Sequence, residues 1–218
     1  MRPRQVVVVT GTGTEIGKTW VAARLIASLR GAGVTVAARK PAQSFEAGEP
    51  VTDADVLAGA SGEAPDAVCR PDRWYPVPMA PPMAAQALGL EPPSLGGLVG
   101  EIEDGWPAEQ ADVGIVEGAG GVASPQATDG DTADLARELR AERAVLVADA
   151  GLGTINLVRM SVAALAPVPV LVFLNRYDAS DGLHRANRTW LQERDSLEVV
   201  VEVEALAGAI SPPGTTHL

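Results

Sequence analysis

Cysteine is almost absent from this chain of 218 residues, since Cys69 stands alone. That excludes an internal disulfide and any cysteine-based metal cluster, and it suits a reducing compartment. No apolar stretch is long enough to span a bilayer. The opening MRPRQVVVV sets two arginines before a run of valines, but the run ends at Thr10, too short for the core of a secretory signal. No basic stripe occurs either, and the formal net charge is −11. An acidic surface repels phosphate backbones, so neither nucleic acid nor a membrane is an expected partner. The expected location is cytoplasmic. Lysine is the last scarcity: Lys18 and Lys40 stand against 15 arginines. Wherever any cation serves, this chain uses arginine. The two exceptions mark positions that need a compact ammonium in place of a planar guanidinium.

What is present is a regular alternation. QVVVV, VTVAA, VGIV, AVLVA, VPVLVF and LEVVVEV read as strands. Most are continuous apolar runs, as parallel strands buried on both faces require. Between them KTWVAARLIASLR, TADLARELR, TINLVRMSVAAL and HRANRTWLQER carry apolar residues three or four apart, as helices do. The βαβα order predicts an α/β fold, a parallel β-sheet flanked by helices in three Rossmann-like layers. The proline-rich segment 61–109 reads as turns and short helices over one end of the sheet. No composition shift or repeat divides the chain, so one domain is expected over 1–210, followed by a flexible tail at 211–218.

In such a sheet ligands bind beyond the carboxyl ends of the strands, so the residues after each apolar run carry the chemistry. After QVVVV comes Gly11-Thr12-Gly13-Thr14-Glu15-Ile16-Gly17-Lys18-Thr19 and then a helix. A strand, a glycine-rich turn and a helix N-terminus make an anion site of backbone N–H groups and helix dipole. The usual phosphate-loop spacing puts a glycine where this chain has Thr12, so the loop is a lengthened variant. Lys18 supplies a cation for the β- and γ-phosphates, and Thr19 a hydroxyl for Mg²⁺. Lys40 follows the second strand. If that strand lies beside the first, its ammonium reaches the same phosphates, where charge stabilisation supplies most of phosphoryl-transfer catalysis.

VGIVEGAGGVASP ends a buried strand on Glu117, well placed for Mg²⁺, followed by Gly118, Ala119, Gly120 and Gly121 for close backbone approach to a ligand. A second metal carboxylate is offered by Asp53 or Asp55, although Asp53 equally suits a helix N-cap and Asp55 a first-turn dipole partner. Gly151, Gly153 and Asn156 lie near a helix N-terminus and serve either a bound carboxylate or a cap. Asn175, just past another strand, suits an adenine edge or a turn. His184 and His217 are far apart and suggest no metal pair.

GTGTEIGKT, KPAQS, VEGAGG and GLGTIN, in this order and spacing, resemble the dethiobiotin synthetase family, from about residue 6 to 175. The resemblance implies a homodimeric P-loop enzyme of biotin synthesis. Its substrates are ATP, CO₂ and the diamine acid 7,8-diaminopelargonate, its cofactor is Mg²⁺, and its products are dethiobiotin, ADP and phosphate. It implies Lys18, Lys40 and Thr14 as catalytic groups and Thr19, Asp53 and Glu117 around Mg²⁺. Glu15, Ile16, Gly17, Lys18, Thr19, Trp20, Glu117, Gly118, Ala119, Gly120 and Asn175 are the implied nucleotide contacts. Ser44, Gly121, Gly153, Thr154 and Asn156 are the implied substrate contacts, the last three toward the carboxylate of substrate held by a neighbouring subunit. The chain departs from the family in three places. Phe45 stands where substrate should pass, Asn187 or Arg188 falls near a substrate-binding tyrosine, and VEVEALA replaces a proline-containing segment beside the base. Two other readings are a related carbon–nitrogen ligase with a different substrate and a P-loop ATPase switch. The second needs a membrane- or DNA-binding element that the sequence does not supply.

Overall fold

The computed structural model describes residues 1–212. His217 and most of the expected tail, 213–218, lie outside the described residues. Strand β1 (Gln5–Gly11) leads into helix α1 (Lys18–Gly31), β2 (Val36–Arg39) and β3 (Gln43–Ser44). Then come α2 (Asp53–Ser61), α3 (Pro65–Val68), β4 (Trp74–Tyr75), α4 (Pro81–Ala87) and α5 (Leu95–Asp104). The segment read as turns and short helices is largely that, with a small β3–β4 parallel pair added. The second half runs β5 (Val113–Glu117), β6 (Pro125–Ala127), β7 (Gly130–Asp131), α6 (Thr132–Glu138), β8 (Arg143–Asp149) and α7 (Thr154–Leu165). It closes with β9 (Val170–Asn175), α8 (Gly182–Glu193), β10 (Glu198–Val200) and α9 (Val203–Ile210).

Six strands form one parallel sheet in the order β10-β9-β8-β1-β5-β2. Val7 and Val9 of β1 pack with α1, α2 and α9 on one face, while Val6 and Val8 pack with α5 and α6 on the other. Burial on both faces is why β1 is an unbroken valine run. β2 pairs with β5 and not with β1, so the strand carrying Lys40 is one place further out than its position in the sequence suggests. The neighbour β5 ends on Glu117, whose carboxylate accepts from Lys40. LEVVVEV also differs from its expected form. Its last valine, Val203, opens α9, whose Leu206, Ala207 and Ile210 follow the helical period into the core.

The chain reverses direction of winding at β1, with β8 on one side and β5 on the other. Such a switch point opens a crevice at the strand ends. Gly11, Glu117 and Asp149 close their strands at this edge, and Arg39 ends β2 immediately before Lys40.

Candidate active site

The loop after β1 turns into α1 through Gly17, whose φ of 89° is in the left-handed region. A Cβ there would stand 2.3 Å from Asn175 Nδ2, so both the turn and the close approach require glycine. Asn175 Nδ2 donates to Ile16 O at 2.8 Å and Arg176 Nη2 to Glu15 O at 3.0 Å. The end of β9 thus braces the loop from outside. No side chain caps α1, and its first-turn amides are left to face a ligand.

Beyond the loop lies a cavity of about 560 Å³. Thr14, Lys18, Thr19, Lys40, Ser44 and Asp53 line it together with Ala119 and Gly120. At its floor the polar groups form one cluster. Lys40 Nζ donates to Asp53 Oδ2 at 2.6 Å and to Glu117 Oε1 at 2.5 Å. Thr19 Oγ1 lies 2.8 Å from Asp53 Oδ1 and 2.9 Å from Glu117 Oε1, and its single proton serves one of them at a time. Lys18 Nζ folds back onto Gly13 O at 2.9 Å.

Local capping sets the two aspartates apart. Asp55 Oδ2 accepts from Thr52 N–H and Thr52 Oγ1, both at 2.8 Å, and the Thr52 hydroxyl accepts from Asp55 N–H. Asp55 therefore closes a capping box on α2, which points Asp53 into the cluster.

Electrostatics follow from burial. Burial works against charge on Lys40, but Glu117 and Asp53 outweigh it and hold the ammonium above its ordinary range. Burial, then the nearby charge of Lys40, lowers Lys18. Asp53 is pushed up by burial and pulled further down by Lys40, ending below the usual carboxylate range. Glu117 is wholly buried, and burial moves it up against the pull of Lys40. Its Oε2 has no hydrogen-bond partner among the described residues. A buried carboxylate oxygen left over beside Asp53 and Thr19 is a donor set for a hard divalent cation whose shell is completed by phosphate and water. Among the described residues no group of three His, Cys, Asp or Glu side chains could hold a metal by itself.

Other expected residues fall elsewhere. Asn175 lines a second cavity of about 910 Å³ with Gly17, Trp20, Tyr177, Glu202 and Glu204. Gly121 gives its N–H to Ser124 Oγ at 2.7 Å and its carbonyl accepts from Thr132 Oγ1 at 3.1 Å. Gly153, Thr154 and Asn156 sit at the start of α7 and line neither cavity. Phe45 does not intrude: it is half-buried, its N–H donates to Tyr75 O at 3.0 Å, and it is absent from the cavity wall. That wall is instead Pro78, Met79, Ala80 and Pro81, which the sequence marked only as proline-rich cover. Asn187 is buried, and its Nδ2 donates to Ala150 O and Gly151 O, each at 2.9 Å, holding the β8–α7 loop.

The profile of the AAA domain family matches residues 5–212. An ATP-dependent dethiobiotin synthetase of Anaeromyxobacter dehalogenans is 40% identical over 203 residues, covering 88% of this chain and 87% of that one. One from Rhodococcus jostii is 36% identical over 215 residues, covering 94% and 89%. One from Parafrankia is 43% identical over 165 residues, 74% of this chain and 66% of the relative. Among solved structures, the signal recognition particle receptor FtsY of Elizabethkingia anophelis superposes with a TM-score of 0.51 at 13% identity, over 90% of this chain and 57% of that one. A DUF1611 family protein of Anabaena variabilis gives 0.51 at 17% identity, over 94% and 54%. These two show the fold alone. The relatives show more: the chain belongs to the dethiobiotin synthetase family.

Proposed function

We propose that this chain joins CO₂ to the two amines of 7,8-diaminopelargonate at the expense of ATP, giving dethiobiotin, ADP and phosphate. The observation that carries the reading is the meeting of Lys18, Lys40, Thr19 and Asp53 on the wall of one cavity, with the buried Glu117 bonded to Lys40 and Thr19 behind it. In the first step one substrate amine adds to CO₂ and becomes a carbamate. A carbamate oxygen then takes the γ-phosphoryl group, and the bond to ADP breaks. The second amine attacks the carbamoyl carbon, closes the ureido ring and expels phosphate.

Each matched side chain has a physical part. The loop amides and Lys18 hold the phosphates, and Lys40 offsets the charge that builds between γ-phosphate and carbamate. Ser44, whose buried Oγ has no protein partner, donates to the carbamate. Thr19, Asp53 and Glu117 hold Mg²⁺, which neutralises phosphate charge when bound. Proline and methionine at 78–81 give an apolar wall for the aliphatic part of the substrate. The base lies in the cavity beside Asn175 and Trp20.

The same reading includes a homodimer. Leu152, Leu157 and Met160 of the α7 region are exposed, Leu152 to 91%. They suit a covered face, and Thr154 beside them is buried with an unpartnered Oγ1. Gly153 to Asn156 then receive the carboxylate of substrate held by the other subunit. Residues 1–210 act as one domain, and the working place is the cytoplasm. Among the described residues no helix is long and apolar enough to cross a membrane. The separate reading of a narrowed substrate pocket loses its motive, since Phe45 is not on the cavity wall.

The test is to incubate the purified protein with ATP, Mg²⁺, bicarbonate and 7,8-diaminopelargonate and seek dethiobiotin by mass. Product that requires both ATP and bicarbonate is the expected result. ATP binding without any ureido product would overturn the assignment of substrate.

A further inference from the structure

Gln126 has no place in the sequence argument, yet it is wholly buried behind the glycine turn that follows Glu117. Its Oε1 accepts from Ala119 N–H at 2.9 Å. Its Nε2 donates to Ala119 O at 2.7 Å and to Ser124 O at 3.0 Å. One amide side chain therefore holds both peptide groups that flank the Ala119 Cα.

The neighbouring amides are also taken. Gly118 N–H goes to Val9 O at 3.1 Å and Val122 N–H to Gly11 O at 3.0 Å. Gly121 N–H goes to Ser124 Oγ at 2.7 Å. Of five consecutive N–H groups, Gly120's is left without an acceptor among the described residues, and Gly120 lines the cavity. Its φ of 69° keeps it in the left-handed region, and a Cβ there would stand 2.4 Å from Ser124 Oγ.

Peptide geometry connects these facts. The Gly120 N–H and the Ala119 carbonyl belong to one planar trans peptide, in which they point opposite ways. By holding that carbonyl at the back of the turn, Gln126 turns the Gly120 N–H away from itself. We infer that Gln126 is a positioning residue: it locks the Ala119–Gly120 peptide so that Gly120 N–H donates to an anionic oxygen, phosphate or carbamate, in the cavity. This rests on the proposed reaction for its occupant and not for its geometry. Ser44 Oγ, also buried and unpartnered, is a second donor on the same wall.

Gln126→Glu keeps the size of the side chain and the acceptor for Ala119 N–H. It replaces the Nε2 donor by a carboxylate oxygen that repels the Ala119 and Ser124 carbonyls. Removing one preorganised donor costs roughly 100-fold in turnover or more. The expected result is that loss in kcat, with the ADP dissociation constant changed less than about threefold, since the first loop still holds the phosphates. A variant that melts earlier but keeps its kcat would overturn the inference and make Gln126 merely structural. The wild-type protein gives the independent readout, which also stands if Gln126→Glu fails to fold. The ¹⁵N–¹H resonance of Gly120 should move downfield with a non-hydrolysable ATP analogue and Mg²⁺, or only when diamine and bicarbonate are added. The first outcome assigns the oxygen to phosphate, the second to carbamate. A Gly120 signal unmoved by both overturns the inference, even if ring closure itself is observed. Absence of ring closure with a shifted signal overturns only the proposed reaction.

Discussion

Replacing Lys40 by methionine removes the one cation that the protein itself places between Asp53 and Glu117. The wild-type side chain is 2% exposed and its ammonium touches both carboxylates. Taking one partner from a buried ion pair costs about 3–5 kcal/mol, because the other charge is left uncompensated. Here the lower end applies, since Asp53 is 43% exposed and rehydrates while Glu117 is fully enclosed. For a domain of this size about 1 kcal/mol moves the midpoint of melting by roughly 2–4 °C, so a fall of roughly 6–12 °C is expected without divalent ions. The three oxygens of Thr19, Asp53 and Glu117 then lack a cation, and Mg²⁺ can take the place of the ammonium. At tenfold above its dissociation constant Mg²⁺ returns about 1.4 kcal/mol. The assay is thermal unfolding of both proteins without nucleotide, with and without MgCl₂, against NaCl of equal ionic strength. Mg²⁺ should stabilise Lys40→Met clearly more than the wild type, in which Lys40 already fills the cluster. An unchanged midpoint, or equal Mg²⁺ shifts in the two proteins, would refute the reasoning.

Lys40→Arg should lower turnover far more than nucleotide affinity, and near-normal turnover would sink the argument that a compact ammonium is needed there. Gly17→Ala combines a left-handed φ with a clash against Asn175, so an ADP titration should show affinity lost even where circular dichroism shows the fold kept. Cys69 is buried, and burial pushes its thiol up to about 12, so iodoacetamide at pH 8 should label it only after denaturation. Asp112 accepts from Thr35 Oγ1 at 2.7 Å and Thr35 N–H at 3.0 Å, which holds its carboxyl below the ordinary value of 3.8. Its contribution is complete above that value and is lost as pH falls through the lower folded one. Urea midpoints of wild type and Asp112→Asn should therefore differ at pH 7 and converge toward pH 3. Leu152→Asp should shift a dimer to monomers in sedimentation, and an unaffected dimer would move the interface elsewhere.

The sheet and its nucleotide loop were legible because their signals are local. An unbroken valine run reports burial on both faces, and Gly17-Lys18-Thr19 opens a helix within a few residues of a strand. The position of β2 was not legible, because nothing in VTVAA says that β5 will insert between it and β1. The different settings of Asp53 and Asp55 are readable in the sequence. Thr52-Asp53-Ala54-Asp55 is a threonine followed by an acid three residues later, the spacing of a capping box, which commits Asp55 to the helix. Phe45 follows Ser44 directly in sequence, yet only Ser44 lines the cavity. Phe45 lies just past the short β3 with its N–H on Tyr75 O, and the wall comes from 78–81 instead. Gln126 was out of reach altogether, since its three partners assemble only when the turn folds back across it.

The scarcity of lysine acquires its meaning at two adjacent residues. Arg39 ends β2 and Lys40 follows it directly, and both are buried. Arg39 spreads its guanidinium over the carbonyls of Ala38 and Gly105 and the carboxylate of Glu63, and lies 5.0 Å over the ring of Trp106. That is the work of a planar fork with many donors, and it ties the end of β2 to the helical layer. Lys40 brings a single point charge to within 2.6 Å of two different carboxylates. A guanidinium carrying the same charge over a wider plane cannot reach both from one atom. A chain that favours arginine at 15 of 17 basic positions therefore keeps lysine where the charge must be small enough to sit between two carboxylate oxygens. Lys18, the other exception, lines the same cavity, so both of the chain's lysines bear on one small volume.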